Sequence, residues 1–170
     1  MAIVAADLST TAVIILVEIM KKVLLAVISL FLLGCQSGVV FTEFQALPPH
    51  GWEADSVKVF SPNLTDSMGD YQMQIILRHN DRYAYQNVWF FVDVTCDSIL
   101  LRRDTIEAMM ANDHGEWYGQ GCSKYTLPII YLEHVSLPSG HYQVLVQQAM
   151  REDTLRGIND IGLKVIKNNP

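Results

Sequence analysis

Apolar and polar residues alternate along most of the chain beyond residue 70. Tyr71, Met73, Ile75 and Leu77 alternate with Gln72, Gln74 and Arg78. Tyr142, Val144 and Val146 alternate with Gln143 and Gln147, and Ile161, Leu163 and Val165 with Gly162 and Lys164. This is the period of a strand with one buried face. Segment 87–95 differs: Val88, Phe90, Val92 and Val94 define one face, but Trp89 and Phe91 place apolar rings on the other. Weaker strand candidates span 39–45, 56–60, 98–102, 106–110 and 127–132. No long segment repeats apolar residues at three and four, so helix is expected only as a single turn near 102–111.

Turn chemistry separates these segments. Ser61-Pro62-Asn63, Met68-Gly69-Asp70, His79-Asn80-Asp81, Asn112-Asp113-His114-Gly115 and Pro138-Ser139-Gly140 all read as breaks. Short strands punctuated in this way predict an all-β domain, an antiparallel β-sandwich of immunoglobulin-like or jelly-roll-like form, over residues 41–170.

The N-terminal region follows a different logic. Lys21 and Lys22 precede an apolar run from 23 to 33 interrupted only by Ser29, and Leu32-Leu33-Gly34-Cys35 ends it before polar Gln36-Ser37-Gly38. A basic start, a short apolar core and a small residue at the cut describe a secretory signal peptide. The run is too short to span a bilayer, which needs about 20 apolar residues. Leu32-Leu33-Gly34-Cys35 resembles the lipobox of bacterial lipoproteins, which implies acylation of Cys35, removal of residues 1–34, and a lipidated tether over 35–40. Each buried methylene contributes about 0.8 kcal/mol, and two acyl chains already anchor stably. Met20-Lys21-Lys22 is a better start than Met1, because residues 1–19 carry Asp7 and Glu18 and no basic residue. Residues 1–19 therefore read as a gene-start error, with an additional poor membrane helix as the alternative.

The formal net charge is −6, and no basic cluster is present. That balance argues against nucleic acid as a partner and against charge-driven binding of anionic lipid. With Cys35 acylated, Cys96 and Cys122 remain as an even pair in an exported chain, either bridged or left as free thiols. His50, His79, His114, His134 and His141 are scattered, and no Cys-x-x-Cys or His-Glu-x-x-His pair occurs. No Gly-x-Ser-x-Gly elbow and no glycine-rich phosphate loop is present. The reading is a non-enzyme without metal or cofactor.

Two patterns remain. Tyr83, Tyr85 and Trp89 lie close together and Trp117-Tyr118 follows Gly115-Glu116, which suits either core packing or a surface for a protein or a sugar ring. Aspartate followed by Ser or Thr and an apolar residue recurs at Ser56, Ser67, Ser98, Thr105 and Thr154. This resembles the O-glycosylation acceptor of exported proteins in Bacteroidetes-type bacteria; the alternative is that Asp-Ser and Asp-Thr start turns and strands.

Three blocks together resemble the gliding-motility lipoprotein GldH family. The first is Arg78-His79-Asn80 with Tyr83-Ala84-Tyr85-Gln86-Asn87-Val88-Trp89. The second is Gly115-Glu116-Trp117-Tyr118-Gly119-Gln120-Gly121. The third is Pro138-Ser139-Gly140-His141-Tyr142, then Gln147-Gln148-Ala149-Met150-Arg151, then Leu155-Arg156-Gly157-Ile158-Asn159-Asp160-Ile161-Gly162-Leu163. Ala84 departs from the proline expected between the tyrosines. The resemblance implies a non-enzymatic envelope lipoprotein that acts by protein–protein contact beside gliding and type IX secretion proteins. Gln36 after the lipid cysteine implies outer-membrane sorting, and the lack of an acidic run after it implies a domain facing the periplasm. The expected interaction surface comprises Tyr83, Tyr85, Trp89, Trp117, Arg151 and Asp160, with Arg151 and Asp160 able to pair. The competing reading is a glycan-binding β-sandwich lipoprotein using the same aromatic residues.

Overall fold

The computed structural model describes residues 20–22 and 38–168. The chain divides into two units, Met1–Ser37 and Gly38–Pro170. Of the first unit only Met20, Lys21 and Lys22 are described, and they are helical. The apolar run, the lipobox with Cys35, and residues 1–19 lie outside the described residues. Among the described residues no helix is long and apolar enough to cross a membrane.

In the second unit the strands are β1 (Val39–Ala46), β2 (Trp52–Glu53), β3 (Lys58–Phe60), β4 (Asn63–His79), β5 (Asn87–Cys96), β6 (Ile99–Met109), β7 (Tyr125–Gln148), β8 (Thr154–Leu155) and β9 (Ile158–Lys167). All pairings are antiparallel. Hydrogen bonds run in the order β1-β9-β4-β7-β5-β6, with β3 also on β7. β7 is the shared strand: up to His141 it pairs with β4, and from Tyr142 onward it lies between β3 and β5. It thus passes from one layer (β1-β9-β4-β7) to the other (β3-β7-β5-β6). The alternation read from sequence is the core: Tyr71, Met73, Ile75 and Leu77 face Val88, Phe90, Val92, Val94, Tyr142, Val144 and Val146 across one interior, joined by Ile161, Leu163 and Val165. Trp52 is fully buried, its ring centroid 6.0 Å from that of Phe90, and its indole Nε1–H donates to Ser56 O at 2.7 Å.

Several expectations are corrected. The segment expected to hold a helical turn, 102–111, is mostly strand β6; its pairing with β5 overrides any local helical tendency. Met68-Gly69-Asp70 and Pro138-Ser139-Gly140 are not breaks but lie inside β4 and β7, with Met68 opposite Pro138, Gly69 opposite Leu137, Asp70 opposite Ser136 and Gly140 opposite Leu64. Register shifts between Leu64 and Met68 and between Tyr71 and Met73 absorb the turn-forming residues as irregularities that bend the ribbon, where proline is tolerated within a sheet. Val39 and Val40, placed in the expected tether over 35–40, belong to β1, and residues 35–37 lie outside the described residues.

The Cys96–Cys122 bridge is not formed; both thiols are free. Cys96 pairs with Tyr142 at the end of β5, whereas Cys122 precedes Tyr125, which pairs with His79 at the far end of β4. The sulfurs therefore lie at opposite ends of the sandwich, beyond the 7 Å or so of Cα separation that a disulfide spans.

Candidate functional site

The first two blocks of the resemblance and residues 147–159 of the third meet at one end of the sandwich, where β4 and β7 finish and β5 and β9 begin; residues 138–142 of the third lie at the other end, with Tyr142 opposite Cys96. His79, the last residue of β4, is completely buried there. Its ring stacks on Tyr125 at 5.3 Å, meets the edge of Trp117 at 4.7 Å and lies 6.1 Å from Tyr83. Neither ring nitrogen has a hydrogen-bond partner. Burial holds the imidazole below its ordinary pKa, against an opposing pull from the Asn80 backbone and the Asp81 carboxylate. Asp81 accepts from the Trp117 indole N–H at 3.1 Å, which fixes the second block over the first.

The third block closes on this box through backbone contact. Gly157 has φ 88°, and a Cβ there would sit 2.2 Å from Tyr83 N. Glycine is required both by the left-handed backbone and by the approach of the Tyr83 segment. Asn80 N–H donates to Gly157 O at 2.9 Å, Tyr83 N–H to Asn80 O at 3.1 Å, and the Asn80 side-chain amide to Asn159 Oδ1 at 3.1 Å. Asn159 O in turn accepts from Leu47 N–H at 2.8 Å. Gly162 serves packing alone: the Phe44 ring lies where its Cβ would be, and the Arg78 guanidinium sits 3.9 Å over that ring.

Beside the box lies a groove of about 550 Å³ lined by Tyr85, Asn87, Trp89, Ala149, Met150, Arg151 and Glu152. Ala149 N–H donates to Trp89 O at 2.8 Å, the Gln148 amide to Glu152 O at 2.8 Å, and Met150 N–H to Gln148 Oε1 at 2.8 Å. These bonds shape the loop after β7 into one groove wall. The Tyr85 hydroxyl donates to Glu152 at 2.6 Å, and that carboxylate raises the phenol pKa. A second cleft continues past Tyr85 and Glu152 along Arg82 and Arg156. Arg82, Arg151 and Arg156 take part in none of the ion pairs among the described residues, whereas Arg102 and Arg103 are held by Asp104 and Asp93.

Of the residues expected at an interaction surface, Tyr85, Trp89 and Arg151 come together in the groove. Tyr83 is buried, with its hydroxyl donating to Asn87 O at 2.7 Å and its pKa pushed up by burial. Trp117 is half-buried in the box. Asp160 lies apart on β9, between Ala46 and Arg78 in register, and it does not pair with Arg151. The paired geometry fails because Asp160 is held within the β1-β9-β4 ladder while Arg151 projects from the loop after β7. Sequence reasoning missed His79 as the hub and Met150 as groove lining; the run Arg78-His79-Asn80 was the signal for the first. Ser67, Ser98 and Thr105 are exposed, Ser56 and Thr154 half-buried. Among the described residues no three His, Cys, Asp or Glu side chains converge to hold a metal ion.

Fold and site together define a class: an antiparallel β-sandwich module whose shaped polar–aromatic surface is gathered at one end. A family model described as GldH lipoprotein matches residues 39–165. The gliding motility lipoprotein GldH of Flavobacterium johnsoniae is 32% identical over 149 residues, covering 84% of this chain and 92% of that one. A GldH homolog of Christiangramia forsetii is 30% identical over 145 residues, covering 80% and 88%. The chain belongs to the GldH lipoprotein family, membrane-anchored lipoproteins of the cell envelope. Among solved structures, a family 35 carbohydrate-binding module of Cellvibrio japonicus Abf62 is 16% identical with TM-score 0.36, covering 79% of this chain and 94% of that one. Eiger TNF of S. frugiperda is 10% identical with TM-score 0.33, covering 62% and 63%. At these scores neither likeness says what the chain binds.

Proposed function

We propose that the chain is a lipid-anchored, non-enzymatic component of gliding-motility and type IX secretion-associated envelope machinery, acylated on Cys35. It sits in the outer membrane with the sandwich facing the periplasm and acts by binding another envelope protein through the end built from the three sequence blocks. One observation carries this reading: the first two blocks and the larger part of the third, far apart in sequence, converge on a single end and leave Tyr85, Trp89, Met150 and three arginines outside the ion pairs of the described residues around its grooves. Aromatic rings, methionine and arginine are the residue types that protein interfaces favour. Tyr83 and Trp117 are engaged in packing rather than presented as a flat platform, which favours a protein partner over a sugar. Thr105, exposed on β6, is proposed as an O-glycosylation site; a mobility shift abolished by Thr105→Ala would support this, and an unmodified peptide mass would end it.

Photo-crosslinking in cells from position 151 or 89 tests the main proposal. Capture of one envelope protein, lost on Arg151→Glu, is expected. No protein adduct, together with saturable binding of a polysaccharide that Trp89→Ala abolishes, would replace the proposal with the glycan-binding alternative.

A further inference from the structure

The end of the sandwich opposite the aromatic box around His79 carries an unexplained apolar feature. β5 turns into β6 through Asp97 (φ 47°) and Ser98 (φ 70°), a two-residue hairpin of the primed type, and Ile99-Leu100-Leu101 follows at once. A half-buried strand exposes only alternate residues, yet these three successive aliphatic side chains are 67%, 49% and 50% exposed. Neither face of the tip is covered by the rest of the domain. Met68, 66% exposed in the bent part of β4, adds to the apolar surface on this half of the molecule. The next residues, Arg102 and Arg103, are held by Asp104 and Asp93, so the apolar tip ends at a charged belt.

The chain leaves the sandwich at this same end. Gly38 O accepts from Lys167 N–H at 2.6 Å, Lys167 pairs with Tyr71, Met68 just before it pairs with Pro138, and the Tyr142 hydroxyl donates to Pro138 O at 2.8 Å. Tyr142 pairs with Cys96, the residue before the hairpin turn, and Asp97 N–H donates to His141 O at 3.0 Å. Only Cys35, Gln36 and Ser37 separate the acylated sulfur from Gly38. Three residues span at most about 10 Å. Whatever path they take, an acylated Cys35 keeps the Gly38 end of the sandwich against the lipid surface.

We propose that Ile99-Leu100-Leu101 is a second membrane-contact site, which enters the interfacial region of the leaflet that holds the Cys35 acyl chains. This rests on the lipid-anchor reading given above. Three strand residues reach about 10 Å, the depth at which interfacial apolar groups settle. Two contacts on one end fix the tilt of the domain, where a tether alone would leave it free to swing. The motif end then points away from the membrane toward its partner.

The test uses the full chain in cells, with photoreactive benzoylphenylalanine replacing Leu100 in one variant and Met109 in another. Met109 is 49% exposed on the same strand at its opposite end, so both substitutions leave the core intact. Lipid adducts are expected at position 100 and not at 109. Adducts at 100 to a second copy or to another protein, or none, in a chain that still floats with membranes would overturn the tip contact and leave the anchor standing. Loss of flotation together with an unmodified Cys35 would overturn both. A glycan found on Ser98 of the mature protein would hold the tip off the lipid and also overturn it.

Discussion

The two ends of the sandwich are built by opposite means. At the motif end, backbone closes on backbone: Gly157 against Tyr83, Asn80 against Asn159, and three aromatic rings around one unpartnered imidazole. At the Gly38 end, the ribbon of β4 and β7 is irregular, and exposed charge pairs hold it: Asp66 with Lys167 and Asp70 with His134. Shape is fixed at the first end by geometry that few sequences satisfy, and at the second by contacts that water weakens. This explains why most of the recognisable sequence blocks, all but residues 138–142, concentrate at one end.

The contrast can be broken most decisively at Gly157. Gly157→Ala forces a Cβ into the Tyr83 backbone at positive φ, and a loss of about 3 kcal/mol or more is expected by denaturant titration. A wild-type midpoint would show that the motif end yields easily. Trp117→Ala removes a half-buried wall of the box, and a loss of about 2 kcal/mol is expected from the same measurement.

Acid sharpens the comparison, because the two ends respond in opposite senses. His79 has a folded pKa below the 6.5 of an open imidazole, so the unfolded chain takes up its proton first. The stability contributed by neutral His79 is complete above about pH 6.5 and is lost as pH falls through the folded pKa. His134 is shifted up by Asp70, so its contribution is complete below the unfolded pKa and is lost as pH rises through the folded one. Melting profiles of His79→Phe should decline less on the acid side than those of the parent, and those of His134→Asn less toward neutral pH. Identical profiles for parent and His79→Phe would remove the imidazole from the account. The smallest effect is expected at the hairpin tip: Leu100→Asp should change stability by less than about 0.5 kcal/mol, because the side chain is already half in solvent.

The sandwich was legible in the sequence wherever one face is buried. The alternation at 71–77, 142–146 and 161–165 marks the residues that form the core, because a half-buried strand leaves a period-two record. The sequence was less informative where residues that form turns elsewhere are held inside a ladder. Met68-Gly69-Asp70 and Pro138-Ser139-Gly140 carry turn chemistry, but each is held by pairing across the β4–β7 ladder, a long-range relation that no local window contains. The groove was half legible: Tyr85, Trp89 and Arg151 were readable as an aromatic cluster and a family block. The reach of the loop after β7, which separates Arg151 from Asp160 and brings Met150 forward, depends on hydrogen bonds between residues far apart in sequence, Ala149 with Trp89 among them. Trp52, outside every alternating run, is a core anchor that period alone cannot find.

The placement of β1 has a mechanical consequence. It leaves the Gly38 end antiparallel to β9, with partners from Val39 to Ala46. A pull transmitted from the tether while the opposite end is held by a partner would act along the strands. The β1–β9 ladder would then be loaded in shear, with all its rungs resisting together rather than opening one after another. A module tethered in this way resists extension better than its thermodynamic stability alone would suggest.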